Sequence, residues 1–138
     1  LWRSDGTPLG QVAFTTETAS GWQQANFASP IPVTAGQTYV VSYHAPAGRY
    51  SVEANKFAAA GVVRAPLEAL RNGVDGGNGV FRYGATSGFP TGSYNSSWYG
   101  VDVVFVDTTG PTVIATAPAA NATGVATDSP VIATFGEP

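Results

Sequence analysis

The stretch from Gly73 to Gly84, "GVDGGNGVFRYG", holds five glycines and two side-chain oxygen donors, Asp75 and Asn78, ahead of an aromatic run. Three chemistries use glycine-rich loops of this kind. An EF-hand loop needs oxygen ligands at alternate positions and a glutamate at the twelfth. Counted from Asp75, those places fall on Gly77, Gly79 and Thr86, none of which supplies a carboxylate. A calcium-binding nonapeptide repeat needs G-G-x-G-x-D in several copies. Here "GGNGVF" occurs once and puts Phe81 where the aspartate belongs. A phosphate cradle needs a helix N-terminus after the glycines, whereas Val80 to Tyr83 alternate like a strand. Two readings survive: a glycine turn feeding the strand Val80–Tyr83, or an irregular Ca²⁺ site built from Asp75, Asn78 and backbone carbonyls.

Catalytic groups are sparse. His44 is the single histidine, and no G-x-S-x-G elbow is present to carry a nucleophile. Glu53, Glu68, Asp75 and Asp102 could pair for glycoside hydrolysis, but no spacing brings two of them together. The sequence reads as a protein that is not an enzyme. "NSS" at Asn95 and "NAT" at Asn121 match the glycosylation sequon by chance composition.

Aromatic residues are the larger resource, with 3 Trp, 6 Tyr and 7 Phe. Phe14, Phe27, Tyr39 and Phe105 fall on alternating strand faces and read as core. Tyr50, Phe57, Phe89, Tyr94, Trp98 and Tyr99 fall in irregular segments. The apolar C–H faces of sugar rings stack on flat aromatics, and sugar hydroxyls seek amides, carboxylates and arginines. Tyr50, Phe57, Tyr94, Trp98 and Tyr99 are therefore the candidate ligand-binding set. The competing reading buries them as a satellite cluster beneath the long segment 45–97.

The elements that would position these residues are β-strands. The chain has 138 residues, enough for one domain or one domain and part of another. Charged residues make up 11%, against about 25% in a typical soluble domain. With 17 Gly and 10 Pro, this composition favours strands and turns over helices. Net charge is −3, and the 6 basic residues form no stripe, so nucleic acid is not an expected partner. No apolar run approaches ~18 residues, so membrane insertion is not expected. Cysteine is absent, which excludes disulfides and thiolate metal sites.

"LWRSDGTPLGQVAF" predicts two short strands, Leu1–Arg3 and Gly10–Thr15, around a type I′ turn at Asp5-Gly6. Trp22–Phe27 predicts a strand ended by Pro30 and Pro32. Gln37–His44 alternates most clearly, with Tyr39, Val41 and Tyr43 on one face. "GRYSVEA" reads as a strand, and "RAPLEALRNG" as one short helix opened by Pro66 and stopped by Gly73. "WYGVDVVFV" predicts a strand with Val101, Val103 and Phe105 on one face. At Asp107–Thr112 the composition shifts to a polar linker. Beyond it, Val113–Thr116 and Val131–Phe135 predict two strands. Two strands cannot bury a core alone, so this second module is expected to be incomplete, and the start at Leu1 suggests an excised piece.

The segments "LWRSDGTPLGQVAFTTETASGWQQANFASPIPVTAGQTYVVSYHAPAGRYSVEANKF" and "PLEALRNGVDGGNGVFRYG…FPTGSYNSSWYGVDVVF" closely resemble a bacterial domain-of-unknown-function family, number 4082, found in large secreted or surface proteins. The resemblance covers Leu1 to about Val106. It implies a jelly-roll-like antiparallel β-sandwich, with further strands upstream of "LW", and it implies no activity. The tail, "DTTGPTVIATAPAANATGVATDSPVIATFGEP", resembles the opening of a bacterial surface-layer-type Ig-like domain, with Gly136 where that family has serine.

The expected architecture is all-β: a jelly-roll-like sandwich with one short helix over residues 1–106, a linker at 107–112, and the start of an Ig-like module over 113–138. The expected role is a non-catalytic extracellular or cell-surface module binding polysaccharide or cell-surface glycan, beside neighbouring domains of the same parent chain. A purely structural spacer is the alternative, and an accessory fragment of a polysaccharide hydrolase the third reading. No cofactor is expected apart from the Ca²⁺ possibility at Asp75 and Asn78.

Overall fold

The computed structural model describes residues 1–108 and 110–136; Thr109 of the expected linker and Glu137 and Pro138 of the expected second module lie outside the described residues. The chain divides into two units, Leu1–Val104 and Phe105–Pro138. Every strand belongs to an antiparallel two-stranded sheet and the described residues contain no helix, so the fold is all-β.

In the first unit, β1 (Trp2–Arg3) pairs with β2 (Tyr39–Val40), Trp2 facing Val40. The turn after β1 differs from the expected type I′. Only Gly6 takes positive φ, at 89°, and its N–H closes on the Arg3 carbonyl at 3.0 Å. Asp5 keeps ordinary φ and accepts a hydrogen bond from the Thr7 N–H at 2.8 Å. This is a three-residue loop with a left-handed glycine, which needs one positive φ rather than two.

The expected helix at "RAPLEALRNG" is a hairpin instead. β3 (Val62–Arg64) pairs with β4 (Leu67–Ala69) across the Ala65-Pro66 connection. Two leucines three apart are a thin helical signal. The β-branched pair Val62-Val63 directly upstream offers Leu67–Ala69 a ladder, and that tertiary option outweighs local propensity.

β5 (Val80–Phe81) pairs with β6 (Gly92–Ser93). An isolated bridge joins Glu53 to Trp98, with both backbone hydrogen bonds at 2.9 Å. Around it lies what interior the unit has. Phe57 is 5% exposed and Ser97 1%. The Phe57 N–H donates to the Ser96 carbonyl at 2.9 Å, and its own carbonyl accepts from the Asn72 N–H at 3.0 Å.

Several expected strands do not pair. Gly10–Thr15, Trp22–Phe27 and Val101–Val106 join no ladder, and of Gln37–His44 only Tyr39–Val40 does. The backbone groups of residues 11–17, 24–33 and 41–44 have no backbone hydrogen-bond partner among the described residues. The alternation in these runs is real, but a strand also needs a neighbour about 4.8 Å away. A groove of about 260 Å³ lies between residues 12–17 and 23–26 in place of a ladder.

The second unit, taken by itself, is a hairpin. β7 (Val113–Ala117) pairs with β8 (Ile132–Phe135), with a register irregularity between Val113 and Ala115. Its strand residues are all exposed.

Candidate functional site

The glycine-rich loop sets the position of β5. Gly73, Gly76 and Gly79 all take positive φ, and the Gly73 N–H closes on the Gly76 carbonyl at 2.8 Å. Asn72 and Asn78 tie the loop together. The Asn78 N–H donates to Asn72 Oδ1 at 2.9 Å, and Asn78 Oδ1 accepts from the Gly79 N–H at 2.7 Å. Asn78 Nδ2 donates to the Leu70 carbonyl, and the Asn78 carbonyl accepts from Ser93 Oγ at 3.1 Å on β6.

Gly79 is buried against the turn that follows β6. A Cβ there would run into the Ser97 carbonyl oxygen and come within 2.5 Å of the Ser97 nitrogen. Asn95 and Ser96 hold positive φ at 51° and 45°, and the Ser97 N–H returns to the Tyr94 carbonyl at 3.2 Å. The loop and this turn therefore lock together through backbone, fixing β5 beside Trp98 and Tyr99.

That arrangement gathers tyrosines from three separate segments. Phe81 of β5 meets Tyr83 at 5.4 Å between ring centroids and Tyr99 at 6.3 Å. Tyr99 meets Tyr50 edge-on at 5.8 Å and 74°. The Tyr43 hydroxyl donates to the Tyr99 carbonyl at 2.8 Å. The Glu53–Trp98 bridge explains the pairing. It sets Val52 opposite Tyr99, and period-two alternation puts Tyr50 on the face of Val52 and Trp98 on the other face.

The face is open to solvent. Tyr83 is 80% exposed, Tyr50 51% and Tyr43 37%. The phenols also interact. Partial burial raises the Tyr43 hydroxyl above its ordinary pKa, against a smaller lowering from the Ser51 backbone. The neighbouring Tyr83 phenol raises the pKa of Tyr50. The cluster offers hydroxyls beside apolar ring faces. His44 lies within 3.1 Å of the Gly84 carbonyl, one residue past Tyr83.

The expected binding residues part company here. Tyr50 and Tyr99 come together. Trp98 turns the other way, packs on Trp22 at 5.8 Å, and donates from Nε1 to the Val101 carbonyl at 3.0 Å. Tyr94 is 64% exposed, with no ring contact among the described residues. Phe57 sits in the interior and shows a ligand no ring face. Sequence reasoning missed Tyr43, Tyr83 and Trp22 as partners. Tyr83 lay in view, two residues after Phe81 on a run that alternates.

Of the expected metal donors, Asp75 is exposed, and the Asn78 carboxamide accepts from the Gly79 N–H and donates to the Leu70 carbonyl. No group of three or more His, Asp or Glu side chains gathers among the described residues. Glu53 instead meets Lys56 at 3.1 Å, and Asp102 accepts from the Val103 N–H at 2.8 Å.

The family model described as Domain of unknown function (DUF4082) matches residues 1–101. The chain belongs to this family. The DUF4082 match spans the glycine loop, the Tyr94–Ser97 turn and every ring of the tyrosine face. No curated protein and no solved structure matches the chain.

Proposed function

We propose that this chain is a non-catalytic carbohydrate-binding module of a bacterial surface or secreted protein, and that the tyrosine face is its glycan site. The observation that carries the reading is the convergence of Tyr43, Tyr50, Tyr83 and Tyr99 beside Phe81 on an exposed face. Exposed aromatic clusters of this kind are costly to leave bare and mark interaction sites. Tyrosine suits a sugar because each ring supplies an apolar face and a hydroxyl at little conformational cost. The ligand class is a neutral polysaccharide, since the four tyrosines bring no charge to the face. Trp22, 67% exposed over Trp98, is a second stacking surface for a longer chain.

In this reading the first unit is built on a jelly-roll-like sandwich plan. The second is Ig-like, its β7–β8 hairpin serving as a connection to neighbouring domains at the cell surface. The alternative role of structural spacer draws support from that second unit, whose exposed strands carry no cluster of polar or aromatic side chains comparable to the tyrosine face. A glycan array probed with the wild-type chain and with Tyr83→Ala tests the two. Binding to neutral glycans that is lost in the variant supports the module; no binding to any glycan supports the spacer.

A further inference from the structure

Residues 11–15 have no ladder partner: residues 23–26 of the same chain face residues 12–15 across a groove without pairing with them. The run "QVAFT" has no backbone hydrogen bond among the described residues, and all five residues are exposed. It contains no turn or bend, the first bend coming at Thr16. A row of free N–H and C=O groups selects another polypeptide strand, because only a peptide backbone repeats donors and acceptors at the matching spacing.

Other unpaired runs carry guards against such pairing. Residues 24–29 are half-covered at Ala25 and Phe27 and give way to bends and then Pro30 and Pro32, and Asp102 places a charge in the run before Val104. In 41–44, the Ser42 hydroxyl accepts from Trp2 Nε1 at 3.0 Å and Tyr43 bonds Tyr99, so that run is engaged within its own unit. Residues 11–15 have neither proline nor charge.

The run is also complementary to itself. Placed antiparallel about Ala13, it sets Val12 opposite Phe14 on both sides of the two-fold axis and Gln11 opposite Thr15. Val12 and Phe14 are 39% and 42% exposed. Each pair is then an aromatic side chain on a β-branched one, a favourable cross-strand combination, and no like charges meet.

We propose that residues 11–15 pair antiparallel with the same residues of a second copy of this chain, with Ala13 on the two-fold axis. The contact is isologous, so it closes at two chains. It lies on a different segment from the tyrosine face.

Sedimentation equilibrium of the whole chain over a range of concentrations tests the pairing through two double variants. Wild type is expected to move from monomer to dimer as concentration rises. Val12→Lys with Phe14→Lys puts like charges face to face and is expected to stay monomeric. Val12→Lys with Phe14→Glu puts Lys opposite Glu in both pairs and is expected to restore the dimer. The chain has no native cysteine, so Ala13→Cys should cross-link on mild oxidation, whereas Thr127→Cys should not. A wild-type monomer at every concentration overturns the proposal. So does a dimer that treats the two double variants alike, or equal cross-linking from both cysteine positions.

Discussion

Substituting Gly79 with alanine is expected to destabilise the first unit far more than the same change at Gly76. Both glycines lie in the loop before β5, at φ of 72° and 76°. Both variants therefore incur the left-handed penalty of an L-residue, about 1–2 kcal/mol. They differ in surroundings. A Cβ on Gly76 meets nothing within 4 Å, whereas one on Gly79 meets the Ser97 backbone. Backbone cannot swing aside as a side chain can, so the contact adds an overpacking cost of about 1–3 kcal/mol. The total for Gly79→Ala is roughly 2–5 kcal/mol, a large share of a typical folding stability of about 5–15 kcal/mol. At about 4 °C per kcal/mol for a unit of this size, the melting temperature falls by roughly 8–20 °C, against roughly 4–8 °C for Gly76→Ala. Thermal unfolding followed by tryptophan fluorescence reads both. Equal shifts in the two variants would show that the loop and the Tyr94–Ser97 turn do not meet through backbone, and the positioning of β5 argued above would fail with it.

Asn78→Ala removes the acceptor for Gly79 and the donor for Leu70, and should cost about 1–3 kcal/mol of unfolding free energy in urea titration; no change in midpoint would show that the carboxamide does not tie the loop. Ca²⁺ added to the wild type tests the irregular site at Asp75, Asn78 and the loop carbonyls: a rise in melting temperature shows binding, and no shift leaves the loop as a turn. The folded Tyr43 pKa is raised by burial, so its contribution to stability is complete below the ordinary phenol value of about 10 and is lost as pH rises through the folded value. Ultraviolet titration should therefore show a late phenolate step that moves down to ordinary values on unfolding; one uniform step would contradict it. Asp5 is lowered by the Thr7 N–H, so it stabilises the first turn above about pH 4 and loses that effect as pH falls through the folded value. Asp5→Ala should remove this part of the acid dependence.

The β7–β8 hairpin was legible because Val113–Thr116 and Val131–Phe135 carry β-branched runs separated by turn residues, and nearest-neighbour pairing is the simplest option. The glycine loop was legible as a turn for a similar reason, since its three positive-φ positions all hold glycine. Leu67–Ala69 was not legible. Its own residues favour a helix slightly, and only the pairing with Val62–Arg64 decides for a strand. The runs at 10–15, 22–27 and 101–106 show the opposite error, alternating as strands do without a neighbour to complete a ladder. At the candidate site, the exposed character of Tyr50 could be argued from its irregular surroundings. The convergence of Tyr50 and Tyr99 with Tyr83 and Tyr43 depends on the Glu53–Trp98 bridge and on the close approach of Gly79 to Ser97. Both join segments far apart in the chain, and neither leaves a local pattern. Phe57 shows the same limit, because residue type alone does not tell a buried phenylalanine from one on the surface.

Calorimetric titration of a neutral polysaccharide into wild type, Tyr50→Ala, Tyr83→Ala and Tyr94→Ala bears most directly on the tyrosine face as a glycan site. Truncating a ring that anchors a ligand typically costs more than about 1.4 kcal/mol, which is tenfold in affinity. The account predicts at least about a tenfold loss for Tyr50→Ala and Tyr83→Ala, with Tyr94→Ala, exposed but outside the cluster, close to wild type. Undiminished binding in the first two variants, or a loss confined to Tyr94→Ala, would contradict it.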